Sequence, residues 1–173
     1  MTNLLDNCSQ FRLNNGLIVV LAKTETATVA GKLRIHHGAA YEREGEEGLA
    51  HFLEHCLTEG TNKYSAIEMT RMSHLLGYSN AATSVSDINL IGDFLPRDLT
   101  MFLDMISSAA FEPLLATKEV DEERARILRE IADARGDPAY ETRKRFSREV
   151  LGKDNPLSRE ILGNPEVIKL SRA

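Results

Sequence analysis

The segment His51-Phe52-Leu53-Glu54-His55 holds the most specific arrangement of reactive side chains in the sequence. On a helix, histidines four positions apart stand on one face about 6 Å apart along the axis, so both imidazoles can reach a single metal ion. Glu54 falls three residues after His51 and shares that face, and its carboxylate can sit beside a metal-activated water without being a ligand. That geometry suits zinc hydrolysis. With five histidines in the chain, chance would produce this short pattern in about one to two per cent of such sequences. Three polar side chains buried on an apolar helix without partners would be costly, whereas one metal ion satisfies them together.

A catalytic zinc takes three protein ligands and keeps a position for water, so a third ligand must lie elsewhere. His36, His37 and His74 read more simply as strand-end or amphipathic-helix residues. The stretch Lys118 to Arg135 offers Glu119, Glu122, Glu123 and Glu130. Glu122-Arg126 and Arg126-Glu130 have the spacing of plain surface ion pairs. Glu123, Ile127, Glu130 and Ile131 recur at helical spacing, which puts two glutamates on a face whose isoleucines should point inward. Spacing does not choose between them.

The elements around these residues follow from patterning. Leu17 to Leu21, after the turn signal Asn14-Asn15-Gly16, reads as a strand, and the alternation from Thr28 to His36 reads as a half-buried strand antiparallel to it across Lys23 to Ala27. Gly38 to Gly48 is a Gly- and Glu-rich loop. Leu49 to Leu57 is a buried helix carrying His51, Glu54 and His55. Ser65 and Glu68 form a capping box for a helix that runs to Leu76 and stops at Gly77. Strands at Tyr78 to Ser84 and Asn89 to Leu95 flank a Ser86-Asp87 turn. Helices follow from Pro96 or Arg97 to Ala110, Lys118 to Arg135, Ala139 to Leu151 and Pro165 to Leu170. This order implies an α+β fold, a mainly antiparallel sheet covered by helices. The 173 residues make a single domain, expected to be truncated because the chain stops just after a short helix with few strands for so many helices.

Composition narrows the function classes. Twenty-one Lys plus Arg against 26 Asp plus Glu give a net charge of −5, which offers nucleic acid or an anionic membrane no electrostatic attraction. No apolar run approaches the roughly 18 residues of a membrane helix. Two cysteines, Cys8 and Cys56, make neither a disulfide framework nor a metal pair, and Cys56 reads as a small buried hydrophobe. Met1 to Ser9 lacks the basic start of a secretory signal, so a cytoplasmic location is expected.

The arrangement resembles the inverted zinc motif of the inverzincins, specifically the pitrilysin, insulin-degrading enzyme and mitochondrial processing peptidase family. The resemblance runs from Asn15-Gly16-Leu17 to Leu170-Ser171. It is carried by Gly48 to His55, Glu59-Gly60-Thr61, Gly77, Asn80-Ala81, Thr83-Ser84, Asp87, Glu123-Arg124 and Glu130-Ile131. It implies that His51, His55 and Glu130 ligate Zn2+, that Glu54 is the general base, and that Glu123 supports the site by orienting a ligand histidine. Asn80 and Ala81 match an edge-strand segment along which an extended peptide substrate adds as a further strand. The implied fold is the N-terminal half of a clamshell metallopeptidase, acting on peptides or unfolded protein segments. The partner half supplies an arginine and a tyrosine for substrate binding, and nothing in this chain matches it. The isolated chain is therefore expected to be inactive without that C-terminal half or a partner subunit. Thr58, Leu76 and Glu112 depart from the family pattern at an aromatic, a glycine and an asparagine position. The alternative, a non-catalytic subunit or scaffold of the same fold, is opposed by the intact His51, Glu54, His55 and Glu130.

Overall fold

The computed structural model describes residues 7–170. Strands β1 (Cys8–Arg12) and β2 (Ile18–Ala22) form a two-stranded hairpin, and β3 (Val29–Ile35), β4 (Tyr78–Thr83) and β5 (Ile88–Phe94) form a sheet in the order β3-β5-β4. All pairings are antiparallel. The helices are α1 (Leu49–Leu57), α2 (Ala66–Leu76), α3 (Leu99–Phe111), α4 (Thr117–Arg135), α5 (Pro138–Leu151) and α6 (Pro165–Leu170). The α+β architecture expected from patterning is present, and no helix among the described residues is long and apolar enough to cross a membrane. The expectations that rest on Met1–Asp6 and Ser171–Ala173 lie outside the described residues.

One pairing departs from expectation. The second strand joins β1, not β3, because Asn14-Asn15-Gly16 closes a tight turn between β1 and β2. Leu13 and Leu17 are bonded across it and Gly16 stands at a φ of 90°. Strand β1 escapes sequence reading because all five of its residues are exposed and carry no burial period. The alternating face of β3 instead meets β5, with Gly31 opposite Gly92. Phe102 of α3 lies over both glycines, where any added Cβ would strike its ring, and stacks on Phe94 at 4.5 Å between centroids. Arg34 of β3 then grips Asp87 at the β4–β5 turn through two bonds of 2.6 and 2.7 Å. That fork holds the Asp87 carboxyl at about 2.

Two apolar clusters meet along α1. Leu57 joins Leu76, Ile88, Leu90, Phe102 and Ile106 between the sheet, α2 and α3. Phe52 and Cys56 join Val120, Ile127, Ile131 and Ile168 of α4 and α6. Helix α1 is covered on both flanks, and the side on which His51, Glu54 and His55 lie runs between the clusters. Its N-terminus lacks a capping side chain at Gly48, which takes a φ of 97°. The Glu42 carboxylate substitutes, accepting from Gly48 N at 3.0 Å and Ala50 N at 2.9 Å. A cap of this kind contributes about 1 kcal/mol. At the start of α2 the expected capping box is present between Ser65 and Glu68.

Candidate metal centre

The helical spacing on α1 places the His51 and His55 side chains together, with Nε2 atoms 3.2 Å apart. Glu130, from the middle of α4, closes the third corner, its carboxylate oxygens 3.8 Å from His51 Nε2 and 3.6 Å from His55 Nε2. One ligand atom from each of the three lies within 4.8 Å of the others. Tetrahedral zinc with bonds of about 2.0–2.1 Å needs its ligand atoms roughly 3.3–3.4 Å apart. The donor set therefore fits zinc in both chemistry and span.

Glu123 occupies the other side of His55. Its Oε2 is 3.0 Å from His55 Nδ1, and since a carboxylate only accepts, Nδ1 carries the proton and Nε2 turns a lone pair toward His51 and Glu130. Arg126 forms an ion pair with the second oxygen of Glu123, its Nη2 3.1 Å away, so this 1% exposed carboxylate has a partner at each oxygen. Arg126 pairs with Glu123 and, at 3.8 Å, with Glu59 in place of the expected surface pairs with Glu122 and Glu130, because the buried Glu123 carboxylate is the more demanding partner. Burial, with His55 second, lowers His51 to about 4, so the imidazole is neutral at ordinary pH, as a metal ligand must be. His51 Nδ1 is buried without a hydrogen-bond partner among the described residues.

Glu54 is nine-tenths buried and accepts a 3.1 Å bond from the Thr83 hydroxyl at the end of β4. Burial raises its carboxyl above the usual range, opposed by His55 and Thr83. A raised carboxyl suits proton transfer near neutral pH. Strand β4 lies at the edge of its sheet. Asn80, which is exposed, and Ala81 pair with Ile91 and Leu90 on its inner side, and its outer side has no strand partner among the described residues. Asn80 and Ala81 line a cavity of about 270 Å³ with Glu54, His55 and Thr58.

His36 and His74 stay outside this group, His36 pairing with Asp87 at 3.0 Å. His37 stacks on Tyr41. Burial pushes the Cys56 thiol to about 12, leaving it an inert core group. Of the departures from the family pattern, Thr58 donates to the His55 carbonyl at 3.1 Å and Leu76 is buried in the first cluster. Sequence reasoning gave Arg126 only surface ion pairs and assigned no role to Thr83 or Glu42. Thr83 stood within a quoted motif, but nothing in the sequence marks its bond to Glu54.

The sequence model of the insulinase family of peptidases, M16, matches residues 18–164. The chain belongs to that family. A protein of Rickettsia bellii named an uncharacterized zinc protease is 30% identical over 170 residues, covering 95% of this chain and 40% of the relative. The mitochondrial-processing peptidase subunit beta of Bos taurus is 31% identical over 162 residues, 91% of this chain and 32% of the relative. Among solved structures, the periplasmic protease PqqL of Escherichia coli superposes with a TM-score of 0.86 at 22% identity, covering 96% of this chain and 19% of that one. Pitrilysin does so with a TM-score of 0.76 at 26% identity, covering 93% and 17%. The M16 chain thus spans well under half the length of these relatives.

Proposed function

We propose that this M16 chain is the zinc-binding half of a metalloendopeptidase that hydrolyses peptide bonds in peptides or unfolded segments. The observation that carries the reading is the convergence of His51 Nε2, His55 Nε2 and the Glu130 carboxylate beside a buried Glu54 held at an edge strand. His51, His55 and Glu130 would hold the zinc, which would supply Lewis-acid chemistry to the scissile carbonyl and to a water. Glu54 takes the proton from the attacking water and returns it to the amine as the peptide C–N bond breaks. Thr83 holds the carboxylate in place. Glu123 acts as a positioning residue, fixing the proton of His55 on Nδ1. The outer side of β4 at Asn80 and Ala81 offers main-chain groups to an extended peptide, a mode that tolerates many sequences.

We infer further that cleavage requires a C-terminal half or partner subunit, in keeping with the share of its relatives' length that this chain covers. Loss of one oxyanion donor can cost about 10²–10³ in rate, and an unenclosed site does not hold a peptide in register. The test is zinc content and cleavage of a quenched unstructured peptide by residues 1–173 alone and by the complete protein. One zinc per chain with little cleavage alone and chelator-sensitive cleavage by the complete protein is expected. Absence of zinc from both would remove the reading, and robust cleavage by the chain alone would remove the requirement for a second half.

A further inference from the structure

Helix α5 inverts the usual arrangement of an amphipathic helix. Tyr140, Arg143, Lys144 and Ser147 follow helical spacing and line a cavity of about 510 Å³ that also contains His51, Glu54, Thr83 and Glu130. Phe146 and Val150 of the same helix are 68% and 62% exposed. A helix that turns a cationic stripe toward a cavity and leaves apolar side chains in water conflicts with folding preference, and such conflicts collect where function requires them.

The cations of this cavity differ in their partners. Lys144 Nζ lies 2.9 Å from Glu160 and 3.5 Å from Glu141, so its charge is answered within the chain. Arg159 donates to the main-chain oxygens of Ala40, at 3.1 Å, and Glu42. Arg143, exposed on α5, makes no hydrogen bond or ion pair with any described residue. The acidic groups that share the cavity are committed elsewhere, Glu160 to Lys144, Glu54 to Thr83 and Glu130 to the imidazole pair. Arg143 is therefore the one cation lining this cavity whose charge is left unanswered among the described residues.

We propose that Arg143 is a specificity-determining residue that selects peptides with an aspartate or glutamate side chain near the scissile bond, on the side that passes Ala82 and Thr83. The proposal rests on the peptidase reading above. A guanidinium matches a carboxylate oxygen for oxygen through two parallel N–H donors, which an amide does not reproduce. A lysine or arginine of the substrate at the same place would meet the unpaired charge of Arg143 unfavourably.

The test uses the zinc-loaded complete protein containing this chain and quenched peptides that differ only by Asp, Asn or Lys at each of three positions on either side of the cleaved bond. Asp should exceed Asn in kcat/KM by roughly five- to tenfold at one position on one side. Arg143→Gln should bring that ratio to about one, and Arg143→Glu should invert the preference toward Lys, with both variants retaining one zinc per chain as evidence of folding. Equal cleavage of Asp and Asn peptides at every position, or an Asp preference that survives Arg143→Glu, overturns the subsite and leaves the peptidase reading standing. A complete protein that binds no zinc and cuts no peptide overturns the reading and the subsite together.

Discussion

Two glutamates on one face of α4, two turns apart, occupy opposite surroundings. Around Glu123 the helix is dry: the carboxylate is 1% exposed, hydrogen-bonded to His55 and ion-paired with Arg126. Around Glu130 it is open, with 45% of the side chain exposed and the carboxylate turned toward two imidazole nitrogens. Identical side chains at equivalent helical positions thus have different partners and exposure set by their environment alone. The dry glutamate is fixed whether or not metal is present, so it suits orienting a ligand. The open one keeps the freedom and solvent access that a ligand to an exchangeable ion needs.

Breaking both ends at once gives the largest effect. His55 touches Glu123 and Glu130, so His55→Ala should abolish stoichiometric zinc by elemental analysis and all activity of the complete protein. His51→Ala should do the same from the open end alone. Full zinc in both variants would contradict the site. Next in size, Glu54→Gln should keep zinc and fold while lowering turnover by about 10²–10⁴. Activity within a few-fold of the parent would remove Glu54 as the base.

The metal-free protein exposes a pH effect of the same region. His51 takes up a proton at about 4 in the folded chain, against an ordinary value of 6.5. The unfolded chain therefore binds the proton first as pH falls. Stability from this group is complete above pH 6.5 and is lost progressively down to about 4, by on the order of 3 kcal/mol. Denaturant unfolding of metal-free protein at pH 7 and 4.5 should register the loss, and its absence in His51→Gln should assign it. Smaller still, Glu123→Gln should destabilise metal-free protein by about 1–3 kcal/mol by disturbing a buried bonded pair, whereas Glu130→Gln should stay within roughly 0.5 kcal/mol. Equal losses would erase the contrast between the two ends. Thr83→Val should have the smallest effect, about 1 kcal/mol or less in the barrier, read as a few-fold fall in kcat with zinc unchanged.

Legibility in the sequence followed the same division. The His51–His55 pair, the Ser65–Glu68 cap and the alternation of β3 are local patterns whose physics is contained in a few consecutive residues. The pairing of β3 with β5 depends on Gly31, Gly92 and Phe102 meeting across the fold, and no local period encodes that. Strand β1 carries no burial period because it is exposed throughout. Glu42, the residue that caps α1, lies in a loop with Glu44, Glu46 and Glu47, and only the folded path separates it from them. Helical spacing put Glu123 and Glu130 on one inward face, but their difference arises from what α1 and Arg126 bring against each. The resemblance to the zinc peptidases distinguished them where spacing did not.

That distinction is tested most directly by zinc dissociation constants for the parent protein, Glu130→Gln and Glu123→Gln, measured by chelator competition at one pH. Glu130→Gln removes an anionic ligand and should weaken binding most, while Glu123→Gln removes only the orienting bond to His55 and should cost about 10–100-fold at most. Wild-type affinity in Glu130→Gln together with loss of zinc from Glu123→Gln would show that the two carboxylates exchange roles.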